Sequence, residues 1–186
     1  MRLTVLAFAP VVLAAATAAA AEGSDDVSAF EATPTAVYAV VGLGTPFGWL
    51  GAEVERTLES HWTISAGGGW GESGPQGAAM THLLLGDSRR SRFAVGAGIS
   101  GGKYSWRPFC FDCDEAAPKT GSVMWANLEI GGEHRFFGGF AIRYFGGYGH
   151  IVAGDLTCDS TAGSCTYSPS DGRNIIYTGV ALGGAF

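Results

Sequence analysis

The sequence predicts an all-β fold, an eight-stranded antiparallel up-and-down β-barrel that crosses a lipid bilayer. Three observations support this prediction. Glycine is abundant, with 30 residues in a chain of 186, and each Gly inside a helix costs roughly 0.5–1 kcal/mol relative to Ala. Eight segments have the length and composition of β-strands. In several of them apolar and polar residues alternate with a period of two, and the charged residues share a face with Gly and Ser.

The N-terminal segment has the pattern of a secretory signal peptide. Arg2 precedes an apolar stretch, Leu3 to Leu13, and an Ala-rich stretch ends at Ala21; these are the n-region, the h-region and an A-x-A cleavage site. We expect residues 1–21 to be a cleaved signal peptide, residues 22–34 a short periplasmic segment and residues 35–186 the barrel. Without Arg2, 10 basic residues face 17 acidic ones, a net charge of −7. No basic cluster indicates a nucleic-acid partner.

The candidate strands are separated by turn residues. An uncharged stretch, Ala32 to Ala52, is long enough for a transmembrane helix, but Pro46 and several glycines interrupt it, so it is better interpreted as two strands. The predicted strands are Thr35 to Leu43, Trp49 to Leu58, Trp62 to Trp70, Gln76 to Leu85, Arg92 to Gly102, Val123 to Phe136, Phe140 to His150 and Ile175 to Phe186. The alternation does not determine which face of Gln76 to Leu85 points inward.

The distribution of charge over the two strand faces indicates which face meets lipid. A soluble lipocalin-type barrel needs bulky apolar side chains inside and charges outside, whereas here the charges lie on the face with the small residues. This is expected when lipid is the outer solvent. Because an eight-stranded barrel is just wide enough for its side chains to fill, we expect a salt-bridged plug, with an ion path or gated pore as the alternative. The residues expected to point inward are Glu53, Glu55, Arg92, Glu129, Glu133, Arg135 and Arg143.

Pairs of aromatic residues on one strand face have the spacing of two membrane interfaces. Trp62 and Trp70 are eight residues apart, as are Phe140 and Tyr148. Eight residues rise about 26 Å along a strand, or roughly 20 Å along the membrane normal after tilting. We expect these four residues to form aromatic girdles.

The connections alternate in length, and the chain ends on an aromatic residue. Three turns are tight, whereas Lys103 to Ser122 and Ile151 to Asn174 are long and polar. The whole segment after residue 21 resembles the small eight-stranded outer-membrane barrels of the outer membrane protein A and X types. Phe186, with Leu182 and Val180 on the same face, resembles the C-terminal signal of that family, although Gly184 replaces a larger apolar residue. The resemblance implies a Gram-negative outer membrane, contact with its lipid, and recognition by the barrel-insertion machinery.

Four cysteines lie in the two long connections. Cys110 and Cys113 have redox-motif spacing, but no βαβ pattern surrounds them, and their acidic neighbours disfavour a reactive thiolate. A zinc site would require Cys158 and Cys165 to converge on the first pair. In an exported chain we expect disulfides, and we favour Cys110–Cys113 and Cys158–Cys165 because each pair lies in one loop.

No residue pattern indicates an enzyme, a cofactor or a metal. Of the four histidines only His150 lies near the predicted outer rim, and spacing alone assembles no Ser–His–acid group. The loop acids lack the ordered spacing of a dedicated calcium site. The sequence therefore favours a non-enzymatic integral outer-membrane protein whose surface loops serve interaction or envelope stability. The alternatives are a small pore, a lipid-modifying enzyme and a soluble secreted ligand-binding barrel of the lipocalin type.

Overall fold

The computed structural model describes residues 28–106, 119–136, 138–154, 156–158 and 173–186. It is a closed, all-antiparallel, up-and-down barrel of eight long strands, which confirms the fold class that the sequence predicts. A four-residue helix, α1 (Ala29–Ala32), precedes the first strand. The strands are β1 (Thr35–Leu43), β2 (Leu50–Glu59), β3 (Trp62–Gly71), β4 (Gly74–Leu85), β5 (Ser91–Trp106), β6 (Lys119–Arg135), β7 (Phe140–Ala153), the short β8 (Thr157–Cys158) and β9 (Asn174–Ala185).

Two strand pairs close the sheet into a barrel. From β1 to β7, each strand pairs with the next one along the chain. β9 pairs with both β7 and β1 and so completes the closed sheet. The short β8 pairs only with β6. Closure leaves none of the eight long strands with a free edge, so the backbone groups of the wall can be satisfied without water. We call the end that carries α1, the last residue and the turns after β2, β4 and β6 the terminal end, and the opposite end the long-loop end.

The strands around the first of the two long predicted loops extend further than the sequence indicated. β5 and β6 remain paired from Gly102 and Val123 up to Trp106 and Lys119. The predicted loop from Lys103 to Ser122 therefore begins and ends as strand. Polar residues such as Lys103 and Ser105 resemble loop composition, but the strand preference of a residue depends on its context, and here both residues pair with β6.

The outer wall is apolar, and the interior holds the charges. Large hydrophobic side chains are exposed on every long strand, and Leu128 and Ile130 of β6 are 62% and 59% exposed. Glu129, which lies between them in the sequence, and Glu133 of the same strand are 4% and 2% exposed. Within the described residues, no helix is long and apolar enough to cross a bilayer.

Candidate functional site

A cluster of ion pairs fills the middle of the barrel, and Arg143 of β7 is one of its two cations. Its guanidinium donates to Glu55 Oε2 at 2.9 Å and to a carboxylate oxygen of Glu53. Both glutamates lie on β2, on the far side of the lumen from β7. Arg143 is 2% exposed, so these charge-assisted hydrogen bonds replace the water that the guanidinium has lost.

Arg135 of β6 is the second cation, and it shares Glu55 with Arg143. Its Nη2 lies 3.1 Å from Glu55 Oε1, and its Nε donates to Glu133 Oε1 at 2.6 Å. The Tyr38 hydroxyl donates to the same Glu133 oxygen at 2.7 Å. The five ionic residues Glu53, Glu55, Glu133, Arg135 and Arg143 therefore form one connected network.

Glu129 belongs to a separate pair that the sequence did not indicate. His82 Nε2 lies 3.2 Å from Glu129 Oε1, and His82 Nδ1 lies 3.4 Å from the Thr63 hydroxyl. His82 is 2% exposed and points inward from β4. No sequence signal selected it, because Leu83, Leu84 and Leu85 give β4 apolar residues on both faces.

Arg92 lies inside the barrel but outside the central network. It is 8% exposed and donates to the backbone carbonyl of Ser60 at the terminal end. Its guanidinium carbon is 4.9 Å from the centroid of the Phe30 ring. Arg92 therefore contributes to closing this end of the barrel.

Helix α1 places Phe30 in the terminal end of the lumen. The Phe30 side chain is fully buried in a cluster with Leu84 and Ala94. The Ser28 side chain accepts from the backbone N–H of Glu31, and the Glu31 carboxylate accepts from Ser28 in return, a capping box that stabilises so short a helix. Arg135 donates to the carbonyl of Thr33, so the helix is attached to the charged network.

The connection between β1 and β2 folds inward at the opposite side of the network. Thr45 and Phe47 are 1% and 0% exposed. The backbone N–H of Gly48 donates to the Thr45 carbonyl at 2.9 Å, and Gly48 has a φ of +89°, which favours Gly at the turn. Phe47 packs in a core cluster with residues that include Val40, Phe145 and Tyr177. The charged network thus lies between Phe30 and this apolar layer.

The predicted aromatic residues all lie on the outer wall. Trp62 and Phe140 begin β3 and β7 at the terminal end, and Trp70 and Tyr148 lie towards the long-loop end. Their exposed fractions range from 43% to 65%. Their role as membrane girdles stays a prediction.

The residues of the predicted C-terminal signal also face outward from β9 and the chain end. Val180, Leu182 and Phe186 are 44%, 47% and 41% exposed. Recognition of these residues by insertion machinery stays a prediction. Cys110, Cys113 and Cys165 lie outside the described residues, and only the backbone of Cys158 is described, where it pairs with Lys119.

Two solved structures are similar to this chain at low sequence identity. The N-terminal β-barrel domain of Pseudomonas aeruginosa OprF is 12% identical with a TM-score of 0.48, over 80% of this chain and 95% of that chain. Acinetobacter baumannii CarO is 12% identical with a TM-score of 0.44, over 82% of this chain and 98% of that chain. No protein-family model and no curated protein matches the sequence. The resemblance to small eight-stranded outer-membrane barrels therefore holds for the architecture only.

Proposed function

We propose that this chain is a non-enzymatic integral protein of a bacterial outer membrane, with a plugged, non-conducting barrel and a long-loop end that serves surface interaction or envelope stability. The observation that carries the proposal is the inversion of polarity across the wall. Arg135, Arg143, Glu53 and Glu55 are at most 2% exposed inside, while the outside presents large apolar side chains all round. Such an outer surface costs free energy in water and none in hydrocarbon.

The plug is supported by the sequence of layers along the barrel axis. Phe30 fills the terminal end, the network joining Glu55 to both arginines fills the middle, and Phe47 packs beyond it. An ion crossing the barrel would have to separate the buried ion pairs of the network. Separating a buried pair leaves its charges without a partner, which is unfavourable. This arrangement favours a plug over a permanently open pore.

A non-enzymatic role is supported by the burial of His82, which lies between a hydroxyl and a carboxylate as in a catalytic triad. Thr63, His82 and Glu129 lie in the order hydroxyl, imidazole, carboxylate, but they are 0%, 2% and 4% exposed. A substrate cannot reach a hydroxyl buried at this depth. His150, near the long-loop end, bonds through Nδ1 to Asn174 at 2.7 Å, and Asn174 also accepts from Tyr148.

Planar-bilayer recording tests the plugged barrel directly. The full-length mature protein, refolded in detergent and inserted into a bilayer, should give few or no channel openings. Folded protein in the same preparation should be verified by its shifted gel mobility before boiling. Stable and frequent openings of the unmutated protein would contradict the plug and favour the small pore.

A further inference from the structure

A cavity of about 70 Å³ with both polar and apolar walls opens at the long-loop end of the barrel. It is separate from the charged network, and the inward-folded β1–β2 connection forms one of its walls. The tip of the β3–β4 hairpin forms another wall, and the upper parts of β5 and β6 complete it. The side chains that give it hydrogen-bonding capacity include Glu72, Gln76, Ser100, Tyr104, Trp125 and Asn127.

Trp125 is the wall residue whose bonding is incomplete. Its side chain is 6% exposed, and its indole N–H has no hydrogen-bond partner in the part of the chain that the structure describes. An indole N–H can only donate, and leaving a buried donor unpaired is unfavourable. The nearest explanation is an acceptor that occupies the adjoining cavity.

The remaining wall side chains define which acceptor fits. Asn127 Nδ2 donates to Ser100 Oγ at 2.9 Å, so an amide and a hydroxyl that can both donate and accept are held in place. The rings of Tyr104 and Trp125 meet edge to face, with centroids 5.4 Å apart. Among the residues of the lining that the structure describes, Glu72 is the one carboxylate and none is a lysine or an arginine. This set suits hydroxyl groups that donate and accept, and it disfavours an anion.

We propose that the cavity binds the hydroxyl-bearing edge of a neutral sugar or a similar small polyol. One water needs about 10–15 Å³ of such space, and a cavity of about 150 Å³ holds a benzene ring. A volume of about 70 Å³ therefore accommodates a few hydroxyl groups and their carbons, and the rest of a sugar ring stays at the mouth of the cavity. Trp49 also lines the cavity and is 52% exposed, so its ring offers a surface on which that remainder stacks.

Indole NMR of the full mature chain in detergent micelles tests this inference. The probes are glucose, galactose and glycerol, with glucuronate as the anionic counterpart of glucose. The Trp125 N–H resonance, assigned by its loss in Trp125→Phe, should shift saturably with at least one neutral probe. Glucuronate should bind at least about tenfold more weakly than glucose because Glu72 repels it.

Variants show whether the shift reports this cavity. Trp125→Phe keeps a ring but loses the donor, and it should weaken binding about tenfold when the shift is followed at another indole. Trp62→Phe, on the outer wall at the terminal end, should leave the affinity unchanged. If Trp125→Phe does not fold, Gln76→Ala at the cavity wall replaces it with the same expectation. Absence of a saturable shift with all three neutral probes, or equal affinity in the cavity variants, would overturn the proposal.

Discussion

The guanidinium of Arg135 lies over the ring of Phe30, with its central carbon 4.3 Å from the ring centroid. This contact joins the N-terminal helix to the ionic interior, because the same guanidinium reaches Glu133 and Glu55. A cation over an aromatic face gains most where water is excluded. The short helix is therefore an integral part of the barrel core.

Replacing Phe30 by Ala should lower the free energy of unfolding by about 3–5 kcal/mol, the usual cost of removing a fully buried aromatic side chain. The loss should appear as an earlier urea midpoint for the protein folded in detergent or lipid vesicles. Phe93→Ala is the matched control, since Phe93 is 48% exposed on the outer wall and its removal leaves no internal cavity. Equal midpoints for Phe30→Ala and the unmutated protein would contradict a stabilising role of the helix.

The proposed membrane location leads to a prediction about fractionation and gel mobility. We expect the mature protein to fractionate with outer membranes and to migrate differently on gels before and after boiling. The physical reason is that the closed ladder satisfies the backbone groups of the wall only while the barrel is intact. Recovery of the native protein as a freely soluble species without detergent would contradict the proposal of an integral membrane protein and favour the lipocalin-like alternative.

The sequence could predict which residues point inward on the regular strands, but it could not predict their partners. Period-two alternation places Glu129 and Glu133 on one face of β6 whatever the fold around them. The bonds of Arg143 to Glu53 and Glu55 cross the lumen over about 90 residues of sequence, and they depend on closure and register. Closure and register also determine that Glu129 contacts His82 of β4, whereas Arg143 bonds to the two glutamates of β2.

Two features had no periodic signal at all. Phe30 is a single aromatic residue before the first strand, and only the capping box of Ser28 and Glu31 indicates a helix there. Phe47 lies in a connection with Pro and Gly residues, which composition assigns to a solvent-exposed turn. Both side chains are fully buried, but each belongs to a segment outside the strands, so period-two alternation does not apply to it.

Peptide mapping under non-reducing conditions tests the cysteine pairing. We expect peptides that join Cys110 to Cys113 and Cys158 to Cys165, because each pair belongs to one connection and an exported chain passes an oxidising compartment. The backbones of Cys158 and Lys119 pair, so Cys158 lies next to the first described residue after the other connection. Peptides that join one connection to the other would therefore contradict the local pairing without altering the barrel.

Two glycines on opposite faces of the barrel wall, Gly183 on the inner face and Gly77 on the outer one, should respond differently to a methyl group. A Cβ at Gly183 of β9 would overlap the carbonyl oxygen of Val37 on β1, whereas a Cβ at Gly77 of β4 would meet its nearest neighbour, the Gly67 carbonyl oxygen, at 3.5 Å. Gly183→Ala should cost about 1–3 kcal/mol because the backbone has to move, and it should reduce the yield of heat-modifiable, folded barrel. Gly77→Ala should fold with unchanged yield. Equal yields for the two variants would show that the β1–β9 seam can widen without cost.

Glu55 and Arg56 are neighbours in β2 whose side chains point to opposite sides of the wall. Glu55 is 1% exposed and accepts from both Arg135 and Arg143, while Arg56 is exposed and donates to the Thr35 hydroxyl at 2.5 Å. Glu55→Gln should lower the free energy of unfolding by about 3–5 kcal/mol, because it leaves two buried guanidinium groups without the carboxylate they share.

Arg56→Gln should change the free energy of unfolding by no more than about 0.5 kcal/mol, because an exposed side chain can exchange one partner for another. Urea titrations of both variants in the same vesicles measure the contrast. A similar loss in the two would mean that the charge on β2 matters regardless of the face that carries it. A loss of unfolding free energy confined to Glu55→Gln would identify the interior network as the stabilising element, since residues 55 and 56 are adjacent in β2 and differ in the face to which they point.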